Sequence, residues 1–380
     1  MTVAVFSPRY APDPGGIERL LSHVLPMLTA HGHEFVVVTG TDDASEKVDV
    51  IDGIHVYRMP FDEAIDSGRP GDILHLARRL RDVELMHDVD VRHIHGFGDI
   101  GLWFALRCHQ RRPCPLAISV HGTLDSAGPI ATMARTLLCS AMVVSVVSDA
   151  VRSSVLAVVP EVSHRVRLIR NGLPSQATTP RPWARGPLVA VGRLEHQKGF
   201  DVALDALALL DESCTDIDLV IVGNGSRRDD LRSRAARLGL AHRVRLVGQL
   251  PADGVMSVLN DASVVLVPAR TMEGFSLVAL EAAQMGRPVV ASSVGGLAET
   301  VEDGVTGMIV PPEDPAALAA AAETLLRDPE RARAMGRAGQ RRAATHFDLA
   351  CCVKAYDQLY RDLYACARPL ATLGAEGGRD

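Results

Sequence analysis

Residues 268–296 read PARTMEGFSLVALEAAQMGRPVVASSVGG. The apolar run 264–267 just before them predicts a buried strand, and residues 289–291 predict another. Between the two runs, Ser276 is a good helix N-cap and the sequence LVALEAAQM is rich in helix formers. Gly286 then ends the helix, because glycine favours the C′ position and the proline two residues later cannot continue a helix. The order strand, loop, helix, strand is typical of a parallel α/β sheet.

Two glutamates make this stretch chemically interesting. Glu273 precedes the predicted helix and Glu281 lies inside it, a little over two turns further on. The backbone N–H groups of Gly274, Phe275 and Ser276 would lie unpaired at the helix start, where the helix dipole favours an anion. Charged residues are mostly exposed, so a solvated Glu281 is the simplest alternative. However, a carboxylate among apolar neighbours needs a partner, which favours binding of a ligand that carries hydroxyls and phosphates.

The string EGFSLVALEA, which begins at Glu273, resembles the E-x7-E motif of the GT4 family of retaining glycosyltransferases. The resemblance implies the GT-B fold, an α/β architecture of two Rossmann-like domains that face a central cleft, with a C-terminal helix crossing back to the N-terminal domain. It also implies that Glu273 faces the donor sugar and that Glu281 holds the nucleotide ribose. The other donor-binding residues that it implies here are Gly274, Phe275, Ser276 and Leu277.

Length and composition indicate an ordinary soluble protein of about two domains. The chain has 380 residues, of which 47% are hydrophobic and 23% charged. A net charge of −6 gives no reason to expect non-specific binding to nucleic acid. The start lacks the basic segment of a signal peptide, and no apolar run approaches membrane-spanning length. The seven cysteines are odd in number and include no CxxC pair, which favours reduced thiols in the cytoplasm. We therefore expect a cytoplasmic protein, and peripheral contact with the inner face of a membrane stays open.

The first half of the chain predicts a doubly wound sheet. Residues 3–6 predict a strand, which a proline-rich loop ending in Gly15-Gly16 connects to a helix over 17–30. The loop lacks the GxGxxG of a nicotinamide dehydrogenase, and on these residues alone a plain helix entry explains the glycines equally well. The string PGGIERL resembles the GT4 loop near the donor phosphates, which implies that Gly15 and Gly16 contact the donor. Further strands are predicted at 35–38, 54–58, 93–95, 116–120, 143–146 and 166–169.

His121 directly follows the predicted strand 116–120. Ligands bind at the carboxyl ends of strands in open α/β sheets, although a lone histidine is more often structural. The GT4 family carries a histidine here that reaches the donor sugar, which implies a catalytic role for His121. We interpret His55, His93 and His95, which lie along strands, as structural.

Two Asp-x-Asp sequences, at 88–90 and 216–218, have the spacing of a metal-binding motif. Both precede an apolar strand, where acidic turn residues are common, so we interpret both as structural. Retaining enzymes with the GT-B fold do not use such a motif. The resemblance therefore implies that no metal and no cofactor is required.

A second α/β pattern begins after residues 174–187, which contain four prolines and predict a linker. The strand 188–191 leads into GRLEHQKG, in a chain that has only three lysines. Two cations at a strand-to-helix junction suit a diphosphate, although an exposed basic loop explains them equally well on their own. The match to the GT4 string GRL-x3-KG implies that Gly192, Arg193 and Lys198 bind the donor diphosphate.

The remaining pattern completes the second domain. Residues 219–222 predict a strand, and Gly223 begins a GNGS turn that resembles the family's glycine turn near the base, a weak signal alone. Strands at 244–247 and 308–310 and helices at 315–327, 330–346 and 347–365 follow. We predict an N-terminal acceptor-binding domain at 1–173, a linker at 174–187, a nucleotide-sugar-binding domain at 188–350, a crossover helix at 351–366 and a disordered tail at 367–380.

Taken together, the resemblance implies a retaining, metal-independent hexosyltransferase. Its donor would be a UDP- or GDP-sugar, its acceptor a hydroxyl of a small molecule, lipid or glycan, and the α configuration would be kept. The implied catalytic residues are His121, Arg193, Lys198 and Glu273. A nucleotide-sugar epimerase of the same fold is one alternative, but no acid and base pair for the sugar ring is evident. A non-catalytic sugar-nucleotide sensor is the other.

Overall fold

A computed structural model describes residues 1–13, 15–43, 45–96, 114–124, 129–175, 178–211, 214, 216–271 and 273–375. Of residues 65, 129–131, 133 and 367–375 it describes the backbone. The chain divides into two compact units. The first unit consists of Met1–Gly172 together with Leu349–Asp380, and the second unit is Leu173–Asp348. These bounds lie within two residues of the predicted ends at 173 and 350.

The first unit is built on a sheet of eight described strands. They are β1 (Thr2–Ser7), β2 (Glu34–Gly40), β3 (Lys47–Ile51), β4 (Ile54–Met59), β5 (Val91–His95), β6 (Leu116–Val120), β7 (Val143–Val146) and β8 (Val166–Leu168). Their order across the sheet is β3-β4-β2-β1-β5-β6-β7-β8. Because β1, β5 and β6 are neighbours and parallel, their carboxyl ends share one edge of the sheet.

One described strand of this sheet has no counterpart in the prediction. β3 was not predicted, and it pairs antiparallel with β4 at the edge of an otherwise parallel sheet. Its valines Val48 and Val50 are exposed, so the strand lacks the buried apolar run by which the other strands were recognised.

Helices cover the first sheet with amphipathic faces. They are α1 (Gly16–Ala30), α2 (Phe61–Asp66), α3 (Pro70–Met86), α4 (Pro129–Ser140) and α5 (Asp149–Val158), and a 3-10 helix spans Pro160–Arg165. In α1 the buried residues recur with helical spacing, as Leu20, Leu21, Val24, Leu25 and Leu28.

The second unit has a wholly parallel sheet among its described residues. The strands are β9 (Leu188–Val191), β10 (Leu219–Val222), β11 (Val244–Gly248), β12 (Val264–Val267), β13 (Val289–Ser292) and β14 (Gly307–Val310). Their order is β11-β10-β9-β12-β13-β14, the doubly wound order of a Rossmann-like fold. Leu188 and Val189, adjacent in β9, belong to two different core clusters. Both faces of the sheet are therefore buried, which is why its strands are continuous apolar runs.

The helices of the second unit are α6 (Phe200–Leu209), α7 (Arg228–Arg237), α8 (Ala252–Asn260), α9 (Leu277–Gln284), α10 (Leu297–Thr300), α11 (Pro315–Arg327) and α12 (Pro329–His346). A short 3-10 helix spans His196–Lys198. Asp314 and Asp328 cap α11 and α12 by accepting a hydrogen bond from the third residue beyond each cap.

The predicted linker at 174–187 belongs to the second unit instead of standing free. Trp183 is buried, and its indole Nε1 donates to the carbonyl of Ser263 at 2.8 Å. The backbone N–H of Arg181 donates to Asn260 Oδ1 at 2.9 Å. The prolines predict an irregular segment, and burial of one aromatic side chain holds that segment on the unit.

The last helix, α13 (Leu349–Ala375), belongs to the first unit. Its apolar face, which includes Leu359 and Leu363, lies in the same core cluster as α1 and β1. Asp357 also accepts a hydrogen bond from His33 Nε2 at 2.6 Å. The prediction of a disordered tail from residue 367 is wrong as far as Ala375, where the backbone is helical. In this segment alanine and leucine favour a helix whereas Pro369 and Gly374 disfavour one, and extending a formed helix costs less than starting one.

Within the described part of the chain, no helix is both long and apolar enough to cross a membrane.

Candidate functional site

The predicted donor residues of the second unit follow two neighbouring strands. β9 and β12 lie side by side, and the strand order reverses between them, because β10 lies on the other side of β9. Arg193 and Lys198 follow β9, and Glu273 follows β12. In open α/β sheets ligands bind outside the carboxyl ends of the strands at such a reversal. The fold thus brings together residues that lie about eighty positions apart in the sequence.

Lys198 and Glu273 form an ion pair. Lys198 Nζ donates to Glu273 Oε2 at 2.6 Å, and the two side chains are 31% and 11% exposed. The sequence motifs predict a role for each of the two residues but not the contact between them. The pair keeps a cation and a carboxylate close together at the strand ends. An anionic ligand that binds Lys198 would therefore change the surroundings of Glu273 as well.

The start of α9 has the predicted cap. Ser276 is extended, and its Oγ accepts from the backbone N–H of Ala279 at 3.2 Å. Phe275 is buried and packs edge to face against Phe347, with ring centroids 5.3 Å apart. Gly274 precedes Phe275 in the loop and Leu277 is the first residue of the helix. The helix start and its dipole are therefore fixed just beyond Glu273.

Glu281 lies inside α9 and is only 2% exposed. Its neighbours in the helix, Leu280 and Ala282, are buried apolar residues. The alternative that Glu281 is a solvated surface residue is therefore wrong. Its burial matches the expectation that a carboxylate in this apolar sequence serves a purpose other than solubility.

The glycine turns after β9 and β10 pack directly on each other. Gly223 has φ of 139°, and a Cβ on it would lie 1.9 Å from the carbonyl oxygen of Gly192. Leu194 N–H also donates to the carbonyl of Asn224 at 2.9 Å. A side chain at position 223 would force the two loops apart, so the weak glycine signal in the sequence has a clear steric reason.

Two residues that hold the loop at 192–199 in place were missed by the sequence analysis. The Glu195 carboxylate accepts from Ser226 N–H at 3.2 Å and from Ser226 Oγ at 2.8 Å. On the other side, Arg270 Nη1 donates to the carbonyl of His196 at 2.9 Å, and its backbone N–H donates to the carbonyl of Gln197 at 2.8 Å. The loop that carries Lys198 is therefore tied to the segments after both β10 and β12.

A bidentate ion pair fixes Arg270 itself. Its Nη1 and Nη2 donate to Asp201 at 2.7 and 2.8 Å, with 11% of the Arg270 side chain exposed. Burial alone would raise the pKa of Asp201, but the hydrogen bonds from Arg270 lower it overall. An arginine three residues after an apolar strand was the available sequence signal, because an arginine that the fold largely covers needs a carboxylate partner.

The predicted residues of the first unit lie at the carboxyl ends of β1 and β6. Gly15 and Gly16 are the N-cap and first residue of α1, which follows the loop after β1. His121 directly follows β6, and its Nε2 lies 3.0 Å from His95 Nδ1. Pro14, in the same loop as the glycines, lies outside the described residues. His95 and His93 are buried and hydrogen-bonded, whereas His55 is exposed on β4.

Both Asp-x-Asp sequences have structural contacts. Asp90 Oδ2 accepts from the N–H of Thr2 at the start of β1 at 2.9 Å, on the edge opposite His121. Asp216 forms an ion pair with Arg185 at 2.9 Å. Among the described residues, no group of three or more His, Cys, Asp or Glu side chains could hold a metal ion.

The chain resembles known proteins both in sequence and in structure. Residues 14–176 match the sequence model of Glycosyltransferase Family 4, and residues 185–342 match that of Glycosyl transferases group 1. Glycogen synthase of Mycobacterium tuberculosis is 38% identical over 202 residues, which are 51% of this chain and 48% of that protein.

A second relative is the GDP-mannose-dependent alpha-(1-6)-phosphatidylinositol monomannoside mannosyltransferase of Mycolicibacterium smegmatis. It is 40% identical over 162 residues, which are 41% of this chain and 42% of that protein. The chain thus spans a little under half the length of these curated relatives.

The fold is shared with a solved sucrose-phosphate synthase from Thermosynechococcus elongatus. The TM-score is 0.83 at 24% identity, over 96% of this chain and 99% of that one. The two family models match largely separate structural units and together cover most of the chain. The protein therefore belongs to the GT4 family of glycosyltransferases and has the GT-B fold.

Proposed function

We propose that the protein is a retaining glycosyltransferase that moves a sugar from a nucleoside-diphosphate sugar to an acceptor hydroxyl. The observation that carries the proposal is the ion pair of Lys198 and Glu273 at the reversal of the strand order, 2.6 Å between Nζ and Oε2. A donor that joins a sugar to a diphosphate needs a cation for the phosphates and a carboxylate for the sugar hydroxyls, side by side.

Arg193 and Lys198 bind the diphosphate in this proposal. Both follow β9, and the start of α9 adds the positive end of a helix dipole close to Glu273. As the bond between the sugar and the phosphate breaks, negative charge grows on the leaving phosphate. Fixed cations and N–H groups stabilise that charge without reorganising, which replaces the usual task of a metal ion.

The two glutamates divide the recognition of the donor. Glu273 faces the sugar, where its charge stabilises the ring as it becomes cationic. Glu281 accepts hydrogen bonds from the ribose hydroxyls, which provides a use for a carboxylate that is only 2% exposed. His121 binds a hydroxyl of the donor sugar, and Gly15 and Gly16 contact the donor phosphates.

The chemical step keeps the α configuration. The acceptor hydroxyl attacks the anomeric carbon from the face that the diphosphate leaves, and a departing phosphate oxygen takes the hydroxyl proton. The new glycosidic bond forms as the bond to phosphate breaks, so charge and protons balance without a cofactor or a covalent enzyme intermediate.

The donor and the acceptor are proposed only as classes. The name of the mycolicibacterial relative specifies GDP-mannose as donor and a phosphatidylinositol mannoside as acceptor, whereas the name glycogen synthase specifies a polysaccharide. UDP- and GDP-sugars, and carbohydrate, lipid or small-molecule acceptors, therefore form the panel to test. Thermal-shift measurements select the donor, because a bound ligand raises stability by mass action.

The protein is located in the cytoplasm in this proposal, with peripheral contact to the inner face of a membrane as a second possibility to test. The exposed cysteines Cys139, Cys351 and Cys366 are free, which suits the reducing cytoplasm. Arginines on α12, among them Arg337 and Arg341, are exposed and offer a basic surface for peripheral contact with anionic lipid.

The experiment is transfer from the selected α-linked donor, with the product read by proton NMR. We expect an α-linked product, seen in its anomeric coupling, and undiminished activity in excess EDTA. A β-linked product would refute the retaining mechanism. Loss of activity that magnesium restores would refute metal independence. Turnover of the nucleotide sugar into an isomer without any acceptor would favour an epimerase, and binding without turnover across the acceptor panel would favour a sensor.

A further inference from the structure

Seven side chains, all buried except the partly buried His121, form a hydrogen-bonded cluster in the first unit, here called the histidine cluster. They come from β5, from β6 and the residue after it, from β7 and from the C-terminal helix α13. The members are His93, His95, Ser119, His121, Ser145, Tyr356 and Tyr360.

A continuous row of contacts runs through the cluster from α13 to the end of β6. Tyr360 Oη lies 2.7 Å from His93 Nδ1, and His93 Nδ1 lies 3.2 Å from His95 Nε2. His95 Nδ1 then lies 3.0 Å from His121 Nε2. The histidines in the middle are 0% and 1% exposed, so their nitrogens bond to each other and to their partners and not to bulk water.

Each histidine of the row is neutral near pH 7. Burial lowers the pKa of His93 to about 3 and that of His121 to about 4. Burial and the neighbouring imidazoles lower the pKa of His95 well below its usual value. A neutral imidazole carries one N–H donor and one acceptor nitrogen, so the proton position on each ring determines that on the next.

The hydroxyl of Tyr360 determines in which direction the hydrogen bonds of the row are donated. A phenol is a stronger donor than a neutral imidazole N–H, and an imidazole nitrogen is a stronger acceptor than a phenol oxygen. Tyr360 therefore donates to His93 Nδ1, which leaves the proton of His93 on Nε2, where Ser119 Oγ accepts it at 2.7 Å. His93 Nδ1 has one lone pair, which Tyr360 and His95 share, because an unprotonated His95 Nε2 would face that lone pair at 3.2 Å whereas a protonated one donates to it in a three-centre hydrogen bond. His95 therefore donates from Nε2 and accepts at Nδ1. His121 consequently donates from Nε2.

We propose that His95 and Tyr360 are positioning residues that hold His121 in the Nε2–H tautomer with a fixed ring orientation. Nδ1 of His121 is then the unprotonated nitrogen and accepts a hydrogen bond from a hydroxyl of the donor sugar. The use of that acceptor rests on the proposed function, whereas the tautomer follows from the cluster alone.

The inference changes the interpretation of the His-x-His sequence in β5. Residues two apart in a strand share one face of the sheet, so the strand geometry by itself places His93 and His95 side by side. Their role as links to His121 depends on Tyr360, which is 267 positions from His93 in the chain. A structural role for the two histidines is therefore incomplete, because they also determine the protonation of a predicted site residue.

The test is the tautomer of His121, read from long-range proton–nitrogen NMR correlations in the full chain labelled with ¹⁵N-histidine. The His121 signals are assigned by their loss in His121→Gln. In the native protein we expect a proton on Nε2 and none on Nδ1. In Tyr360→Phe we expect a mixture of tautomers, because the donor that determines the direction is gone. Tyr364→Phe, the same change one turn further along α13, is the matched control and leaves the native signals.

His95→Phe is the second variant, since it removes both links while keeping an aromatic ring, and circular dichroism checks its fold. We expect the same loss of a single tautomer. Transfer assays should show kcat/KM lowered roughly threefold to tenfold in both variants relative to Tyr364→Phe, the cost of one misdirected hydrogen bond. A native Nδ1–H tautomer, or an unchanged His121 signal in Tyr360→Phe and His95→Phe, overturns the inference. Absence of transfer by the native protein refutes the proposed function instead, and the NMR result still decides the tautomer.

Discussion

The predicted site residues of the two units are held by opposite kinds of chemistry. In the second unit, Lys198 and Glu273 form an ion pair, and Arg270 and Asp201 form a bidentate one beside it. In the first unit, His121 ends a row of neutral imidazoles and hydroxyls. Charged groups suit the phosphates of a donor. Neutral groups suit the uncharged hydroxyls of a sugar, because they can donate or accept without attracting a counter-ion.

The units also differ in how local their sites are. Lys198 and Glu273 lie in two loops that follow neighbouring strands, and sequence motifs identified both. The motifs missed Arg270 and Asp201, which form the ion pair beside them. The histidine cluster takes its members from β5, β6 with the residue after it, β7 and the distant helix α13, with 267 positions between His93 and Tyr360. Short sequence motifs can therefore encode a site whose cations bind an anion. A row of neutral hydrogen-bonding side chains from distant elements depends on the fold.

The largest expected effect concerns acid stability and arises from the first unit. Unfolded histidine titrates near pH 6.5, but burial lowers the pKa of His93 to about 3 and that of His121 to about 4. Between about pH 4 and pH 6.5 the unfolded chain therefore binds more protons than the folded one. The free energy of unfolding falls as pH falls through this window, by up to about 1.4 kcal/mol per pH unit for each fully buried histidine.

Urea unfolding at pH 7 and pH 5 measures this dependence. His95→Phe should flatten it, and His55→Phe, at an exposed position on β4, should not. The ion pair of Arg270 and Asp201 in the second unit does not contribute to the pH dependence in this window. The pKa of Asp201 is lowered, so the stabilisation from this pair is lost only at more acidic pH. Equal slopes in the native protein and His95→Phe would mean that His95 does not contribute to the acid sensitivity.

The next effect is the loss of donor binding in Lys198→Ala. This variant removes a cation from the proposed diphosphate site and leaves the nearly buried Glu273 without that partner. A charge-assisted contact is worth roughly 1.5–3 kcal/mol, so affinity for the nucleoside diphosphate should fall about tenfold or more. Calorimetric titration measures the change, and Lys354→Ala, at an exposed position on α13, is the matched control.

Arg193→Ala should lower the affinity for the nucleoside diphosphate, measured by the same titration, by a similar factor. If the affinity of both variants equals that of the native protein, the loop after β9 is not the diphosphate site.

The two glutamates should separate binding from turnover. Glu281→Gln should weaken the binding of the free nucleotide and of the donor alike, because the ribose is present in both. Glu273→Gln should leave nucleotide affinity nearly intact, because Glu273 faces the sugar, which the free nucleotide lacks, yet it should cut turnover about tenfold or more. Calorimetry and single-turnover kinetics make the comparison, each variant being the control for the other. Equal loss of nucleotide affinity in both would contradict this division of roles.

The smallest expected effect belongs to Arg270→Lys. Lysine cannot keep two parallel hydrogen bonds to Asp201 and a third to the carbonyl of His196. The loop carrying Lys198 should loosen, and kcat/KM for the donor should fall roughly threefold to tenfold. Arg232→Lys, which changes an exposed pair with Asp229, is the matched control. A native value of kcat/KM in Arg270→Lys would show that the loop does not depend on this contact.

Much of the architecture was predictable, because buried parallel strands are short apolar runs in any context. The strands at 116–120, 143–146, 188–191, 219–222 and 264–267 match the structure residue for residue. β3 and the helical continuation to Ala375 were not predicted. An exposed edge strand has no apolar run, and a helix end depends on cooperative extension as much as on composition.

By itself, the sequence determined the α/β class, the family and the residues of the second unit that meet at the strand ends. Strand periodicity and contiguous loops are local properties, and the strand order then brings the loops together. Only the tertiary structure decided that Glu281 is buried, that Glu273 pairs with Lys198, and that the histidines of β5 connect α13 to His121. Those outcomes depend on distances between side chains far apart in the chain. A hydrogen bond forms only when folding brings its donor within about 3 Å of its acceptor.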